Sequence, residues 1–261
     1  AAIALENARL YRAAIERGRL ERELQMARDL QYGLLPQELP LLPGWEFAAR
    51  WQPAREVAGD FYDVFVLKDE RVAIVVGDVC GSGVQAASLT ETVRATLRAL
   101  AWRDPSPSSI LLGANELLLA QASSGQFVTV LLAILDVARG KILISSAGHP
   151  PLAICGESAR FLEAPHGMPL GAMRSNYREA EFDLLPGETM VLYTDGLIEA
   201  KRGADLFGEQ RLLDTLTSRN WADVQLMVEA LVATATEHAG GRLADDLAVI
   251  AVHLVALPTA R

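Results

Sequence analysis

The chain has 261 residues, of which 51% are hydrophobic, and a formal net charge of −9. This length allows one large domain with an appendage. The acidic balance disfavours a surface that follows nucleic-acid phosphates, because such a surface needs clustered Lys and Arg. No apolar stretch reaches the ~20 residues that span a bilayer, and no signal-peptide pattern opens the chain, so we expect a cytoplasmic protein.

Residues 1–35 predict one long helix, rich in Ala, Leu, Glu and Arg, which Pro36 ends because proline disfavours helix before it. A heptad fits this helix, and its two seam positions hold Ile3, Leu10, Arg17, Leu24 and Gln31, and Glu6, Ala13, Leu20, Ala27 and Leu34. The pattern favours a coiled coil that joins two copies of the chain. The alternative is an amphipathic helix packed on its own domain.

The chain from Trp45 onward predicts strands, two helices, more strands, two helices and a closing strand. Predicted strands cover 45–53, 61–67, 71–79, 127–135, 141–147, 151–155, 177–184, 188–194 and 247–255. Predicted helices cover 84–102, 107–121, 208–217 and 221–238. This order lacks the regular alternation of parallel sheets, so it indicates an α+β fold with antiparallel sheets and helices packed outside them.

Aspartates stand at the ends of several apolar segments. Asp60 lies in AGDFYD, Asp78 ends the strand VAIVVGD, Asp195 follows VLYT, and Asp245 and Asp246 precede LAVIAV. Each alone is an ordinary turn or strand-end residue. Together they can meet at one rim of a sheet, where a cluster of acids is costly unless a cation lies among them.

Oxygen ligands without Cys or His favour hard cations such as Mg²⁺ or Mn²⁺. The two cysteines form no CxxC motif, and no HExxH zinc pattern occurs. Two such ions activate a bridging water for in-line attack on a phosphate, so no protein nucleophile is needed. The chain has neither a GxSxG elbow nor a CxxxxxR loop.

Several separated motifs over residues 45–255 together resemble the RsbU/SpoIIE-like branch of PPM metal-dependent serine/threonine phosphatases. In chain order they are GDFYD, GDVCGSG, FVTVLLAILD, AGHPPL, MPLG, YTDG and DDLAVI. The resemblance implies a central β-sandwich flanked by helix pairs, a phosphatase domain over 45–256, and two Mn²⁺ or Mg²⁺ ions at one end of the sandwich.

The resemblance also implies roles for individual residues. Asp78 would bridge both metals, the carbonyl of Val79 and the carboxylate of Asp60 would serve the second metal, and Asp195 and Asp245 would hold the first. Asp246 would cap or orient.

Other positions match the family without being expected ligands. Thr129, Gly148, His149 and Pro150 lie in family motifs, and His149 is either structural or a proton donor to the leaving group. Arg55 has the spacing of a phosphate-binding arginine, although a surface arginine fits equally.

Two residues depart from the family pattern. Ala58 replaces a common glycine, which is tolerable if its φ is negative. Ser82 replaces a basic residue or histidine between two glycines.

The start, AAIALENARLY, resembles the last helix of a GAF sensor domain running into a signalling linker, so residues 1–35 are interpreted as that linker. By resemblance, the substrate would be a phosphorylated STAS-domain anti-sigma-factor antagonist in a partner switch. Two alternatives stay open: a catalytically weak regulatory output module, and a two-metal hydrolase of nucleotides or small phosphate esters.

Overall fold

A computed structural model describes residues 2–36, 38–54, 57–81, 83–121, 125–221 and 223–257. The helices are α1 Ala2–Leu34, α2 Val84–Arg103, α3 Pro107–Gln121, α4 Asp195–Ile198, α5 Gly208–Thr217 and α6 Val224–His238. The long strands are β1 Trp45–Gln52, β2 Asp60–Val66, β3 Val72–Val79, β4 Val128–Asp136, β5 Lys141–Ala147, β10 Thr189–Tyr193 and β13 Leu247–Leu254. The short strands are β6 Leu152–Cys155, β7 Ala159–Leu162, β8 His166–Gly167, β9 Ala180–Asp183, β11 Lys201–Arg202 and β12 Asp205–Leu206.

Two sheets carry the described part of the fold, besides a small β11–β12 hairpin. One sheet has the order β1-β13-β10-β6-β7, and the other has the order β2-β3-β4-β5-β8 with β9 also paired to β5. The pairings are antiparallel except for the short β5–β8 contact. Strand β3 is central in its sheet, and its run VAIVVGDV is buried on both faces, as expected of a strand with a layer packed on each side.

The two sheets stack face to face between two pairs of helices. One apolar core lies between the sheets and includes Ile74, Leu131 and Ile250. A second core joins α2 and α3 to the β2–β5 sheet, and a third joins α5 and α6 to the β1–β13 sheet. This is the predicted α+β sandwich, with helices outside antiparallel sheets.

Most predicted elements agree with the structure to within three residues. The short strands β7, β8, β11 and β12 and the single-turn helix α4 have no counterpart among the predictions. The two-residue strands β8, β11 and β12 are too short to establish a period of two, so no pattern in the sequence predicts them.

The C-terminal end of α1 contacts its own domain. Leu35 lies in the core between the sheets, and Gln31, assigned above to the coiled-coil seam, is 6% exposed and hydrogen-bonds to Ala58. Leu10, further up the same seam, is 60% exposed. The own-domain alternative therefore describes the last turns of α1.

None of the described helices is long and apolar enough to cross a membrane.

Candidate metal centre

Alternation along four strands brings polar side chains into the space between the sheets. In β2 and β3 the core residues Tyr62, Val64, Ile74 and Val76 face the opposite sheet. Successive side chains point to opposite faces, so Asp60 and Asp78 continue this inward row. Both lie at the same end of the sandwich, because Asp60 begins β2 and pairs with Asp78 near the end of β3.

The other sheet supplies its own polar residues at that end. Met190 and Leu192 of β10 and Ala248 and Ile250 of β13 face inward, and the next position of each inward row is Thr194 after β10 and Asp246 before β13. These two strands are antiparallel neighbours, so the end of one lies beside the start of the other.

Three carboxylates meet where the two sheets approach. Asp60, Asp78 and Asp195 each offer an oxygen atom, and these atoms all lie within 4.8 Å of one another. Asp60 is buried, whereas Asp78 and Asp195 are half-buried. The predicted convergence of Asp60, Asp78 and Asp195 is therefore observed, and the three carboxylates come from the ends of strands in both sheets.

Burial, followed by the charges of neighbouring acids, raises the pKa values of these three aspartates. Burial and then the charge of Asp78 hold the pKa of Asp60 well above its usual range. Burial also raises the pKa of Asp78, with further contributions from Asp245 and Asp246. The pKa of Asp195 rises to about 6 because of burial and the charge of Asp78. A divalent cation at this place would offset the repulsion that adds to the effect of burial.

Asp60 has a hydrogen-bond donor that sequence reasoning missed. The hydroxyl of Thr194 donates to Asp60 Oδ2 at 2.6 Å and accepts from the Ala248 N–H at 2.8 Å. The side chain of Thr194 thereby ties the Asp60 carboxylate to the start of β13. Thr194 stands 134 residues from Asp60, and the signal that could have found it is the inward alternation of β10.

The carboxylate of Asp246 orients the loop before Asp60. Its Oδ1 accepts from the Ala54 N–H and its Oδ2 from the Gly59 N–H, both at 2.8 Å. This geometry agrees with the orienting role expected for Asp246. Asp245 stands exposed beside it, outside the group of three, and its charge contributes to the raised pKa values of Asp78 and Asp195.

Gly59 is required by the close approach of two candidate ligands. A Cβ at this position would lie 2.7 Å from the Val79 carbonyl oxygen and 2.9 Å from Asp78 Oδ1. Such contacts are shorter than real Cβ atoms adopt, so a larger residue would move the strand end. At Ala58 the φ is not positive, since Glu70 alone among the described non-glycine residues has a positive φ. The alanine departure is therefore accommodated without strain.

Two further positions singled out in the sequence, Arg55 and Ser82, lie outside the described residues. Their proposed roles therefore remain predictions from the sequence.

His149 lies beneath the site and is 2% exposed. Its Nε2 is 3.0 Å from the Tyr193 carbonyl oxygen, which can only accept, so Nε2 carries the proton. Nδ1 then accepts from the Thr129 hydroxyl at 2.9 Å. Burial lowers the pKa of His149 to about 4, so the ring is neutral at pH 7. Both nitrogens are engaged between the two sheets, which favours the structural role over proton donation to a leaving group.

The low pKa of His149 predicts an acid-dependent loss of stability. An unfolded imidazole takes up a proton below about pH 6.5, whereas the folded one stays neutral down to a pKa of about 4. Falling pH therefore favours the unfolded state, by about 2 kcal/mol from this group between pH 7 and pH 5. In urea unfolding experiments, the free energy of unfolding of His149→Asn is expected to fall less than that of the wild type between pH 7 and pH 5. The control variant His166→Asn, at an exposed position, should show the same fall as the wild type. Equal pH dependence in His149→Asn and wild type would contradict the assignment.

The donor set at this end of the sandwich fits hard divalent cations. The converging side-chain donors are carboxylates. The Val79 carbonyl oxygen and Asp78 Oδ1 lie close together, because both would contact a Cβ atom placed on Gly59. Carboxylate and carbonyl oxygens are the usual ligands of Mg²⁺ and Mn²⁺.

Comparison with known families and proteins identifies relatives of the chain. Residues 68–255 match the family described as Stage II sporulation protein E (SpoIIE). Protein IcfG of Synechocystis is 30% identical over 262 aligned residues, covering 88% of this chain and 41% of that protein. Phosphoserine phosphatase RsbU of Bacillus subtilis is 24% identical, covering 88% of this chain and 70% of RsbU. The chain thus spans less than half of IcfG.

Solved structures share the fold. The PP2C domain of SiaA from Pseudomonas aeruginosa is 25% identical, with a TM-score of 0.82 over 92% of this chain and 99% of that domain. RsbX, solved in complex with magnesium, is 16% identical, with a TM-score of 0.60 over 83% of this chain and 98% of RsbX. At that identity the RsbX likeness is one of fold alone.

Proposed function

Because the chain belongs to the SpoIIE family of PPM-type serine/threonine phosphatases, we propose that residues 45–256 form a domain that hydrolyses phosphoserine or phosphothreonine on a regulatory protein. The observation that carries this proposal is the convergence of Asp60, Asp78 and Asp195 within 4.8 Å. The curated relative RsbU is named a phosphoserine phosphatase, and it aligns with most of this chain.

Two Mn²⁺ or Mg²⁺ ions are proposed as the cofactors. Asp78 would contact both ions, Asp195 and Asp245 would hold the first, and Asp60 with the Val79 carbonyl would serve the second. When bound, such an ion pair activates a water molecule and neutralises charge on the transferred phosphoryl group.

The remaining residues keep this ligand set in place. Thr194 orients the Asp60 carboxylate by donating to it. Asp246 holds the loop before Asp60 through two backbone N–H groups. The neutral His149 joins β4 to the end of β10, which fixes the spacing between the Asp78 and Asp195 sides of the site. For Arg55 we retain a proposed contact with the substrate phosphate.

The test of this function is metal-dependent release of phosphate. With a phosphoserine STAS-domain protein as substrate, turnover is expected to require added Mn²⁺ or Mg²⁺ and to be lost with excess EDTA, because no protein nucleophile replaces the activated water. p-Nitrophenyl phosphate and a nucleotide serve as comparison substrates. Full turnover in chelated buffer would refute the mechanism, preference for the nucleotide would favour the small-ester alternative, and absence of turnover would favour the regulatory module.

The proposed partner is a phosphorylated STAS-domain anti-sigma-factor antagonist, acting in the cytoplasm. The support is the likeness to RsbU and the motif order given above. Residues 1–35 are proposed as a signalling linker that follows a GAF-like sensor. The part of this helix before the turns that pack on their own domain is proposed to join two chains into a homodimer.

A double substitution tests the proposed dimer. Leu20→Glu with Leu24→Glu places four charges on the seam of the pair, so we expect the sedimentation coefficient to fall from dimer to monomer and phosphatase turnover to change. Glu16→Gln, at an exposed position of the same helix, is the control and should leave the dimer intact. A wild-type chain that is monomeric at high micromolar concentration would refute the seam.

A further inference from the structure

The loop that follows β8 lies at the same end of the sandwich as the carboxylates. It covers residues 168–177, and its Leu170 exchanges two backbone hydrogen bonds with Val128, the first residue of β4. Val128 is in turn the register partner of Val79, whose carbonyl is a candidate metal ligand. The 168–177 loop therefore borders the metal centre, one strand away from it.

Buried polar side chains hold this loop in one shape. Asn115 of α3 is buried; its Nδ2 donates to the Met173 carbonyl at 3.0 Å, and its Oδ1 accepts from the Gly171 N–H at 2.8 Å. The Tyr177 hydroxyl donates to the Met168 carbonyl at 2.8 Å. Because side chains of the domain satisfy these backbone groups, the shape of the loop is set before any partner binds.

The loop nevertheless exposes large apolar side chains. Met168 and Met173 are 43% and 52% exposed, and Phe127, which lies beside Gly171, is exposed as well. A cleft of about 630 Å³ separates the loop from α3, where Leu112 forms part of its wall. Apolar side chains grouped on a rigid surface mark an interaction site, and flexible methionines adapt to the shape of a partner.

The charge of this face suits a phosphorylated partner better than the charge of the whole chain does. The chain has a formal net charge of −9, whereas residues 168–177 contain one arginine, Arg174, and no acid. Glu116 of α3 adds one negative charge across the cleft. A negatively charged phosphoprotein therefore meets less repulsion at this face than the net charge of the chain implies.

We propose that the 168–177 loop, with Phe127 and the adjacent face of α3, is the docking surface for the phosphorylated protein substrate. This inference rests on the proposed function. The carboxylate centre can recognise a phosphate group, which every phosphoprotein carries, so selection among phosphoproteins needs a second contact. A substrate whose phosphoresidue reaches the centre would lay an apolar part of its own surface over Met168 and Met173. Binding energy from this contact would favour protein substrates over small phosphate esters.

The test compares two substrates on the full chain at saturating Mn²⁺. Met168→Glu with Met173→Glu places charge on the docking surface, and kcat/KM for a phosphoserine STAS-domain protein is expected to fall about tenfold or more, mainly through KM, as when an anchoring side chain is lost from an interface. The kcat/KM for p-nitrophenyl phosphate should not change, because this ester is too small to reach the loop. Leu226→Glu, at an exposed position of α6, is the control and should leave both values unchanged.

A conservative pair and the remaining outcomes make the test decisive. Met168→Leu with Met173→Leu keeps the surface apolar and should retain most of the phosphoprotein kcat/KM. Wild-type phosphoprotein kcat/KM in the Glu double variant, or equal losses on both substrates, would overturn the docking surface. Dissociation of a dimer by the Glu double variant, with phosphoprotein turnover unchanged, would assign the surface to a second copy of the chain instead.

The wild-type chain separates this inference from the proposed function. If it hydrolyses p-nitrophenyl phosphate as efficiently as the phosphoprotein, the metal chemistry stands and the docking surface is refuted, because no second contact then contributes. If it hydrolyses neither substrate with Mn²⁺, the proposed function is refuted and the docking surface with it.

Discussion

Replacement of Asp78 by Asn is expected to lower phosphatase turnover by several orders of magnitude. Asp78 lies directly opposite Asp60 in the β2–β3 register, and in the proposed site it serves both ions, whereas the other carboxylates serve one. Asn lacks the negative charge that both ions require. Turnover at matched Mn²⁺ concentration, together with calorimetric Mn²⁺ binding, measures the effect.

Comparison variants separate a ligand role from general damage. Asp195→Asn and Asp245→Asn should also lose orders of magnitude, whereas Asp246→Asn should lose less, because the Asp246 carboxylate accepts backbone hydrogen bonds. Asp69→Asn, at an exposed turn, should retain wild-type turnover. Asp78→Asn should remain folded, since removing one acid from a crowded cluster relieves repulsion. Wild-type turnover by Asp78→Asn would exclude the assigned role.

Replacement of Asp63 by Ala is expected to lower the free energy of unfolding by about 3–5 kcal/mol. Asp63 accepts two hydrogen bonds from Arg98, at 2.5 and 2.6 Å, and Arg94 Nε lies 3.5 Å from its Oδ2. The Asp63 and Arg94 side chains are 1% and 8% exposed. Without the Asp63 carboxylate, the buried Arg94 retains only the contact of its Nη1 with Glu91 Oε2 at 3.4 Å, so its charge is poorly compensated. Urea unfolding followed by circular dichroism measures the loss.

The neighbouring turn provides the control for this prediction. Asp69 pairs with Arg71 on the surface, and Asp69→Ala should cost no more than about 1 kcal/mol, as is typical of exposed pairs. Arg94→Met added to Asp63→Ala should recover part of the loss, because it removes the poorly compensated charge of Arg94. A loss below 1 kcal/mol in Asp63→Ala would mean that water or another group solvates Arg94.

The sandwich was predictable because its central strands are apolar and its helices are separated by clear breaks. The β3 run VAIVVGDV indicates a strand buried on both faces, and the residues Asp104 to Ser106 separate α2 from α3. The convergence of Asp60, Asp78 and Asp195 was predictable because each of them lies at the end of an apolar strand. The family resemblance then added roles that spacing alone does not supply.

Other parts of the site depend on contacts between distant residues. Thr194 donates to Asp60, but a threonine beside Asp195 has no feature in the sequence that identifies its partner. Gln31 fits a heptad as a polar interruption, and only the folded domain places Ala58 beside it. Such pairings are set by how strands and helices pack together, which a local pattern does not encode.

The pairing of β1 with β13 has a consequence for the chain's connectivity. Trp45 and Leu254 are register partners, so the strand that opens the sandwich and the strand that closes it begin and end side by side, about 5 Å apart. Whatever precedes or follows this unit in a longer protein leaves from one edge of one sheet. The sandwich is therefore suited to circular permutation: a short linker can join these two positions, at the cost of the core contact of Leu35. New termini can be opened at the exposed Asp104 between α2 and α3, away from the ends of β2, β3, β10 and β13 near which the carboxylates lie.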